Sequence, residues 1–467
     1  MKFSIKVAVL SAVVTSLTLP YTAYATNGGW LIGFGAKSRA MGGTGVADNR
    51  GGLAAAFNPA TMVDSGRRFD VGADLFSPPR RVKHNSTTLG YTDEESEGKN
   101  NIFLIPNMGG SYQWKENLTV GFSFIGAGLQ TEYNQSVNND SCTQVNAGNV
   151  PGFAPGSCPP TVFNVLGDTA GPEVGVELIQ MQLLPSIAYR VNKNHSIGAT
   201  VALAATYFRA KGLEDFDQLG FTSADGDFTS GSWDSSYGVG LRLGWLGTFV
   251  EDRLRFGLNY SSRIYMQKHE GYKNLFAEQG TFDIPESYSA GIAFDFTPAI
   301  TATLDVQRIN WHDVRSIGNP GPNAADPNNN LLPLCPPGTD QTECLLGGNK
   351  GLGFGWTNQN VYKFGIDWAI NEKWNARAGW NYAKSPIPDD QVLLNFLAPA
   401  TPEHHVTLGG GYAFNDTYVL DASLVYAFSN TITGPTAFGP GGATVTGSNA
   451  SIDMTQLSVG VGLGIKF

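Results

Sequence analysis

The residues that could do chemistry are few and scattered. Gly33 to Ser38 reads G-F-G-A-K-S, close to a phosphate loop. However, Ala36 stands where the glycine before the lysine should be, and no strand precedes it. His404 and His405 are adjacent; in an extended segment they point to opposite faces and cannot share a metal. No Gly-x-Ser-x-Gly elbow occurs, so no hydrolase nucleophile is signalled. The four cysteines form two local pairs, Cys142 with Cys158 and Cys335 with Cys344, each in an Asn/Pro/Gly-rich stretch. In an oxidising compartment they read as loop disulfides, Cys142–Cys158 and Cys335–Cys344. The rival reading, a zinc site, lacks both C-x-x-C spacing and a neighbouring His. The expectation is a chain without catalytic residues, metal or cofactor.

What remains is a set of charges inside alternating apolar/polar segments: Arg242, Arg255, Lys363 and Arg377, with Asp305, Asp367, Asp421 and Glu403. If the apolar residues of those segments face lipid, all eight face inward. Two uses then stand open. They form a mutually neutralising network that stiffens the structure and anchors whatever lies inside, or one or two of the cations bind a carboxylate headgroup. Arginine suits that task through its bidentate fork.

The elements that must position these charges are strands. About fourteen period-two segments recur from Arg68 onward, among them Ile197 to Phe208, Tyr237 to Trp245, Leu254 to Tyr260, Tyr362 to Ile370 and Tyr418 to Phe428. The last runs from Leu457 to Phe467 with Leu457, Val459, Val461, Leu463 and Ile465 on one face and Ser458, Gly460, Gly462, Gly464 and Lys466 on the other. Such a strand has one oily and one polar face. The connections carry more information. Short polar links at Lys115 to Asn117, Asn192 to Asn194, Glu251-Asp252, Asn371 to Lys373 and Asn415-Asp416 alternate strictly with long ones, including Pro79 to Asn100, Asn134 to Gly175 and Asp313 to Gly355. Outer-membrane barrels have this asymmetry of tight periplasmic turns and long extracellular loops, whereas a soluble sandwich has no cause for it.

Composition agrees. Only 15% of residues are charged, yet mean hydropathy is −0.13, as expected where alternation hides the apolar face. The 58 Gly, 27 Phe, 17 Tyr and 9 Trp suit barrel lumens and interfacial girdles. A net charge of −10 without a Lys/Arg cluster argues against nucleic acid. Lys2 and Lys6, the mostly apolar Val7 to Leu19 and Ala23-Tyr24-Ala25 read as a secretory signal peptide over residues 1–25. Beyond it no apolar run reaches the roughly 18 residues of a spanning helix, so membrane crossing requires a closed barrel without unpaired edges. Residues 26–66 are rich in Gly and Ala, lack alternation, and carry short helical candidates around Leu53 to Phe57. The segment is too small for its own core. It is expected to fold inside the lumen as a plug; the bland alternative is a periplasmic tail.

Several stretches carry a family resemblance. Lys37 to Gly45 (K-S-R-A-M-G-G-T-G), followed by Asn58-Pro59-Ala60, resembles the N-terminal hatch of FadL-type long-chain fatty-acid transporters, a group that includes TodX-like aromatic-hydrocarbon channels. Gly128 to Tyr133 (G-L-Q-T-E-Y), Ile284 to Glu286 (I-P-E) and Asn375 to Pro388 (N-A-R-A-G-W-N-Y-A-K-S-P-I-P) are similar too. The resemblance implies an all-β fold, a fourteen-stranded antiparallel transmembrane barrel over residues 67–467 plugged by a hatch over 26–66, with ligands in apolar pockets between hatch and wall. It also implies a kinked third strand facing the hatch, here at Gly126 and Gly128 near Asn58, Pro59 and Ala60. Glycine inside a strand often marks a bulge or bend, or here simply makes room for the hatch.

The expected function is passive outer-membrane passage of hydrophobic small molecules, either long-chain fatty acids or hydrocarbons, with lateral release. The chain is expected to be a monomer whose partners are its ligand, outer-membrane lipid and lipopolysaccharide, and the barrel-assembly machinery that recognises the aromatic C-terminal strand. The rivals are an outer-membrane lipid-acting enzyme, which needs a Ser/His pair on one barrel face, and a structural or adhesin barrel.

Overall fold

A computed structural model describes residues 27–49, 51–86, 91–99, 101–133, 174–213, 222, 226–321, 340–435 and 448–467. The signal-peptide segment and Cys142, Cys158 and Cys335 lie outside these residues.

The alternating segments form fourteen strands in one antiparallel sheet closed on itself. They are β1 (Arg68–Ser77), β2 (Phe103–Lys115), β3 (Leu118–Glu132), β4 (Gly175–Asn192), β5 (His195–Lys211), β6 (Asp234–Phe249) and β7 (Leu254–Ser261). The second half comprises β8 (Ser287–Thr297), β9 (Ile300–Ile309), β10 (Gln359–Ala369), β11 (Trp374–Ala383), β12 (His404–Ala413), β13 (Tyr418–Gly434) and β14 (Ser448–Lys466). Each pairs with its sequence neighbour, and β1 closes the ring on β14 from Arg68↔Lys466 to Ser77↔Leu457. The last strand behaves as its alternation requires: Leu457, Val459 and Val461 are about half exposed on the outside while Ser458 is buried within. The short links join strands at one end and the long connections leave from the other.

One long link differs from expectation. Residues 79–100 are not irregular: strands Arg80–Ser86 and Tyr91–Glu97 pair with each other, and the first also pairs with the upper part of β14 from Ser448↔Ser86 to Met454↔Arg80. β14 is longer than the strand it pairs with in the ring, so its upper edge would otherwise be unpaired.

The N-terminal segment packs against inward-facing residues of the ring. It contains one short helix, α1 (Gly35–Arg39), and two 3-10 turns, Ala54–Ala56 and Pro59–Asp64. A belt of lumen-facing glycines makes the room. A side chain at Gly198, Gly244, Gly257, Gly365, Gly379 or Gly409 would collide with Ala60, Asn58, Val46, Met41, Gly42 or Ala40, respectively. Wall and segment therefore meet backbone to backbone around most of the circumference.

Of the cysteines, Cys344 falls among the described residues, where it is buried and carries no free thiol. If both proposed pairs are oxidised, alkylation of the unreduced, denatured protein labels nothing. Reduction then loosens the loops and leaves the heat-modifiable barrel intact, because ladder closure does not depend on them. Alkylation before reduction would reject the pairing.

Candidate functional site

The segment is tied to the wall by buried hydrogen bonds in which its backbone both donates and accepts. Asp305 on β9 accepts from Gly45 N (2.7 Å) and Val46 N (3.0 Å) through one carboxylate oxygen. Thr407 on β12 accepts from Gly42 N at 2.9 Å and donates to Ala40 O at 3.0 Å. Asn58, fully buried, donates to Val46 O (2.8 Å) and Trp245 O (3.0 Å) and accepts from Ala60 N at 3.0 Å. Pro59 at the first position of its 3-10 turn has no N–H to satisfy there, so Asn58 caps that turn while bridging to β6. The Asn-Pro-Ala motif is thus a hinge pin beneath Gly198 and Gly244. Removing a buried amide that satisfies three backbone groups costs about 1–3 kcal/mol per group left unpaired. Asn58→Ala is therefore expected to speed amide exchange from Gly45 to Thr61 several-fold while barrel strands stay protected. Unchanged exchange there would remove Asn58 from the anchoring role.

The four inward cations separate into two kinds. Arg377 is clamped by Asp421 at 2.5 Å and Asp367 at 3.2 Å, and Arg255 by Asp295 at 2.7 Å with Asp48 at 3.4 Å. Both are ion-paired, and neither lines a cavity described below. Arg39 of α1 joins that network through Asp74 at 3.1 Å. Arg242 and Lys363 differ. Among the described residues no carboxylate lies within ion-pair distance of either, and both reach backbone carbonyls of the N-terminal segment. Arg242 donates to Ala56 O (2.6 Å) and Gln182 Oε1 (2.8 Å), and Lys363 donates to Ile32 O at 3.0 Å. Asp305 stands opposite Lys363 in the register, but its bound oxygen faces the Gly45 and Val46 amides.

Arg242 and Lys363 flank an inner cavity between segment and wall. Its apolar side comes from the segment: Trp30, Leu31, Ile32, Phe34 and Phe57. Its polar side comes from the wall, with Gln180 and Gln182 on β4, Asn259 on β7 and Gln307 on β9 beside the two cations. Nothing in the local sequence marked these amides, which stand at inward positions of widely separated strands.

A second cavity of about 620 Å³ lies under the long connections and is apolar almost throughout, lined by Leu178, Phe208, Phe228, Phe276, Leu352 and Phe354, among others. His269 packs against Phe208 and Phe276 beside it, and burial pushes this histidine down to about 4, so it is neutral at physiological pH.

The β2–β3 ladder is incomplete. β3 pairs with β4 without interruption from Leu118↔Tyr189 to Glu132↔Gly175, so Gly126 and Gly128 form no bulge on that side. The break is on the other edge. The β2–β3 ladder stops at Asn107↔Ile125, although β2 begins at Phe103 and β3 continues to Glu132. Beyond that point Tyr133 pairs instead with Gly98, in the link that precedes β2. Pro106, next in line, has no N–H to donate, and proline in a strand belongs at an edge. Gly126 and Ala127 border this gap and also line the inner cavity, whereas Gly128 does not line it. Asn58-Pro59-Ala60 packs against β4 to β6 rather than at the gap.

No curated protein matches this chain in sequence. Its fold is similar to the Pseudomonas putida toluene transporter TodX, with TM-score 0.62 at 18% identity over 94% of this chain and 99% of that one. It is similar also to the Ralstonia pickettii toluene transporter TbuX, with TM-score 0.59 at 19% identity over 94% and 99%. A Pseudomonas aeruginosa FadL homologue gives TM-score 0.61 at 15% identity over 96% and 99%. The family model for outer membrane protein transport proteins (OMPP1/FadL/TodX) matches residues 164–459. With fourteen strands closed in one ring and this match, the chain belongs to the OMPP1/FadL/TodX family of outer-membrane transport proteins for hydrophobic compounds.

Proposed function

We propose that the protein is a passive channel for long-chain fatty acids, which enter the apolar outer cavity, lodge in the inner one and leave sideways through the β2–β3 gap. The observation that supports the headgroup assignment is Arg242, a buried cation without a carboxylate partner among the described residues, beside Lys363, whose charge partner Asp305 lies beyond ion-pair distance, on the polar side of a half-apolar cavity. A buried charge is costly unless paired, and a ligand carboxylate would supply the missing counter-charge. The tail would lie against Leu31, Phe34 and Phe57, each buried CH₂ contributing about 0.8 kcal/mol. A sideways exit into the bilayer keeps that energy, whereas release into water forfeits it.

The second reading is a hydrocarbon channel, favoured by the mostly apolar outer cavity and by the toluene transporters among the similar structures. Competition binding with a fatty acid and the alkane of equal chain length separates the two. A preference of tenfold or so for the acid is expected from one charge-assisted hydrogen bond; equal affinity would end the fatty-acid reading. The family consists of transport channels, and the enzyme reading gains no observation.

The same proposal has residues 26–66 as the hatch, residues 1–25 as a cleaved leader and the chain as a monomer. Its outer face would meet outer-membrane lipid and lipopolysaccharide, and its C-terminal strand the barrel-assembly machinery. The exposed outward row of β14 supports the last two.

A further inference from the structure

A groove runs over the outside of the wall, across β6 to β9. Its floor is Ala290, whose register partners are Leu258 on β7 and Val306 on β9, both exposed. A small residue between two large ones on the lipid-facing surface leaves a trough. The sides of that trough are pinned. Trp245 stacks on His195 with ring centroids 5.7 Å apart, and the Tyr260 hydroxyl donates to Glu286 at 2.6 Å. The groove reaches over three strand spacings, about 14 Å, so several alkyl chains fit in it side by side.

One end of the groove is polar. Outward residues run Ile292, Ala290, Tyr288 along β8, Leu304, Val306, Arg308 along β9, and Phe364, Tyr362, Asn360 along β10. Tyr288, Arg308 and Asn360 are successive cross-strand partners, so they stand in one row where the apolar series ends. The row lies at the end from which the long connections leave, since residues 310–358 join β9 to β10 there. In outer-membrane barrels that end faces outward from the cell, which sets the row at the headgroups of the outer leaflet. All three residues offer donors. Arg308 gives Nε to Asn310 Oδ1 (3.3 Å) and Nη1 to Asn360 Oδ1 (2.9 Å), and among the described residues no carboxylate lies within ion-pair distance of it. Glu286, the acid bonded to the same Asn310, is engaged by Asn310 Nδ2 at 2.9 Å and by Tyr260. The exposed Tyr288 hydroxyl and Asn360 Nδ2 make no hydrogen bond among the described residues. A guanidinium flanked by two neutral donors suits a phosphate, whose oxygens only accept.

We propose that this groove binds a phosphorylated lipid with several acyl chains, the lipid A part of outer-leaflet lipopolysaccharide: its chains lie over Ala290, and a phosphate takes the donors of Tyr288, Arg308 and Asn360. The proposal rests on the outer-membrane placement of the family and is independent of the channel reading. Its test is titration of the purified full chain in detergent with diphosphoryl lipid A, the bound fraction being read by native mass spectrometry. Ala290→Trp fills the trough, and Arg308→Gln removes the cation while keeping an amide. Ala422→Trp, at an exposed outward position of β13 away from the groove, controls for lipid held anywhere around the belt. All three side chains face lipid, so the heat-modifiable band should be unchanged. Wild type and Ala422→Trp should bind lipid A equally. Arg308→Gln should bind it about tenfold more weakly, the factor that one hydrogen bond to a charged group carries. Ala290→Trp should bind it about tenfold more weakly too, through lost chain burial. Fully dephosphorylated lipid A should bind wild type no more tightly than diphosphoryl lipid A binds Arg308→Gln. Equal binding by all four proteins, or equal binding of the two lipids by wild type, overturns the site. Phosphatidylglycerol binding wild type as tightly as lipid A overturns the choice of lipid A.

Discussion

Replacing Arg242 and Lys363 together by Met should abolish the preference for an acid over a hydrocarbon. Hydrogen bonds to charged groups contribute about 1.5–3 kcal/mol each, so fatty-acid affinity should fall by roughly tenfold to a hundredfold per cation. Binding of an alkane of equal length should stay within a factor of two or so, the tail contacts being untouched. Each Met keeps most of the aliphatic volume, and the β-ladders that close the barrel involve neither side chain. Arg377→Ala supplies the contrast. It leaves Asp421 and Asp367 facing each other without their cation, so it should destabilise the lumen without altering ligand preference. Titration of purified variants with a fluorescent fatty acid, competed by unlabelled acid or alkane, gives both numbers. Retention of full acid affinity by the double variant would remove the headgroup site from this cavity.

Arginine at Gly126 should close the lateral route. The position lines the inner cavity at the edge of the gap, and an added Cβ there meets only Ile105 at 3.5 Å and Pro106 O at 3.6 Å, so folding tolerates it. The long charged side chain then occupies the opening in place of an apolar chain. Stripping an alkyl chain from its contacts costs about 0.8 kcal/mol per CH₂, so even partial obstruction should cut uptake by tenfold or more. The same substitution should leave the heat-modifiable barrel and equilibrium binding to the outer cavity unchanged. A correctly folded Gly126→Arg protein that transports at the wild-type rate would show that ligand leaves by another way. Gly128, which does not line that cavity, should be the more tolerant of the two.

The two glycines also show where reading a sequence stops. Both were legible as an interruption in a strong strand, but the interruption lies on one edge only, and the residue responsible for the open edge is Pro106 on the neighbouring strand. A missing N–H acts on whichever strand lies alongside, and only strand pairing says which that is. The charges show the same limit. That Arg242, Arg255, Lys363 and Arg377 face inward follows from period two alone. That Arg255 and Arg377 form ion pairs with Asp295, Asp421 and Asp367 while Arg242 forms none among the described residues depends on which strands become neighbours and where the segment lies.

The chain by itself determined its architecture. Alternation fixes which face of each strand meets lipid, strict alternation of short and long links fixes an up-and-down order, and a strand array in lipid must close on itself because no edge can stay unpaired. These are local or topological consequences of side-chain period and loop length, readable from Arg68 to Phe467 without coordinates. The site was decided only in three dimensions. Its cavity is what remains after a segment without periodicity is pressed against a belt of glycines, and its polar half comes from β4, β6, β7, β9 and β10, far apart in the chain. Packing of distant surfaces has no period, and so it leaves no signature along the sequence.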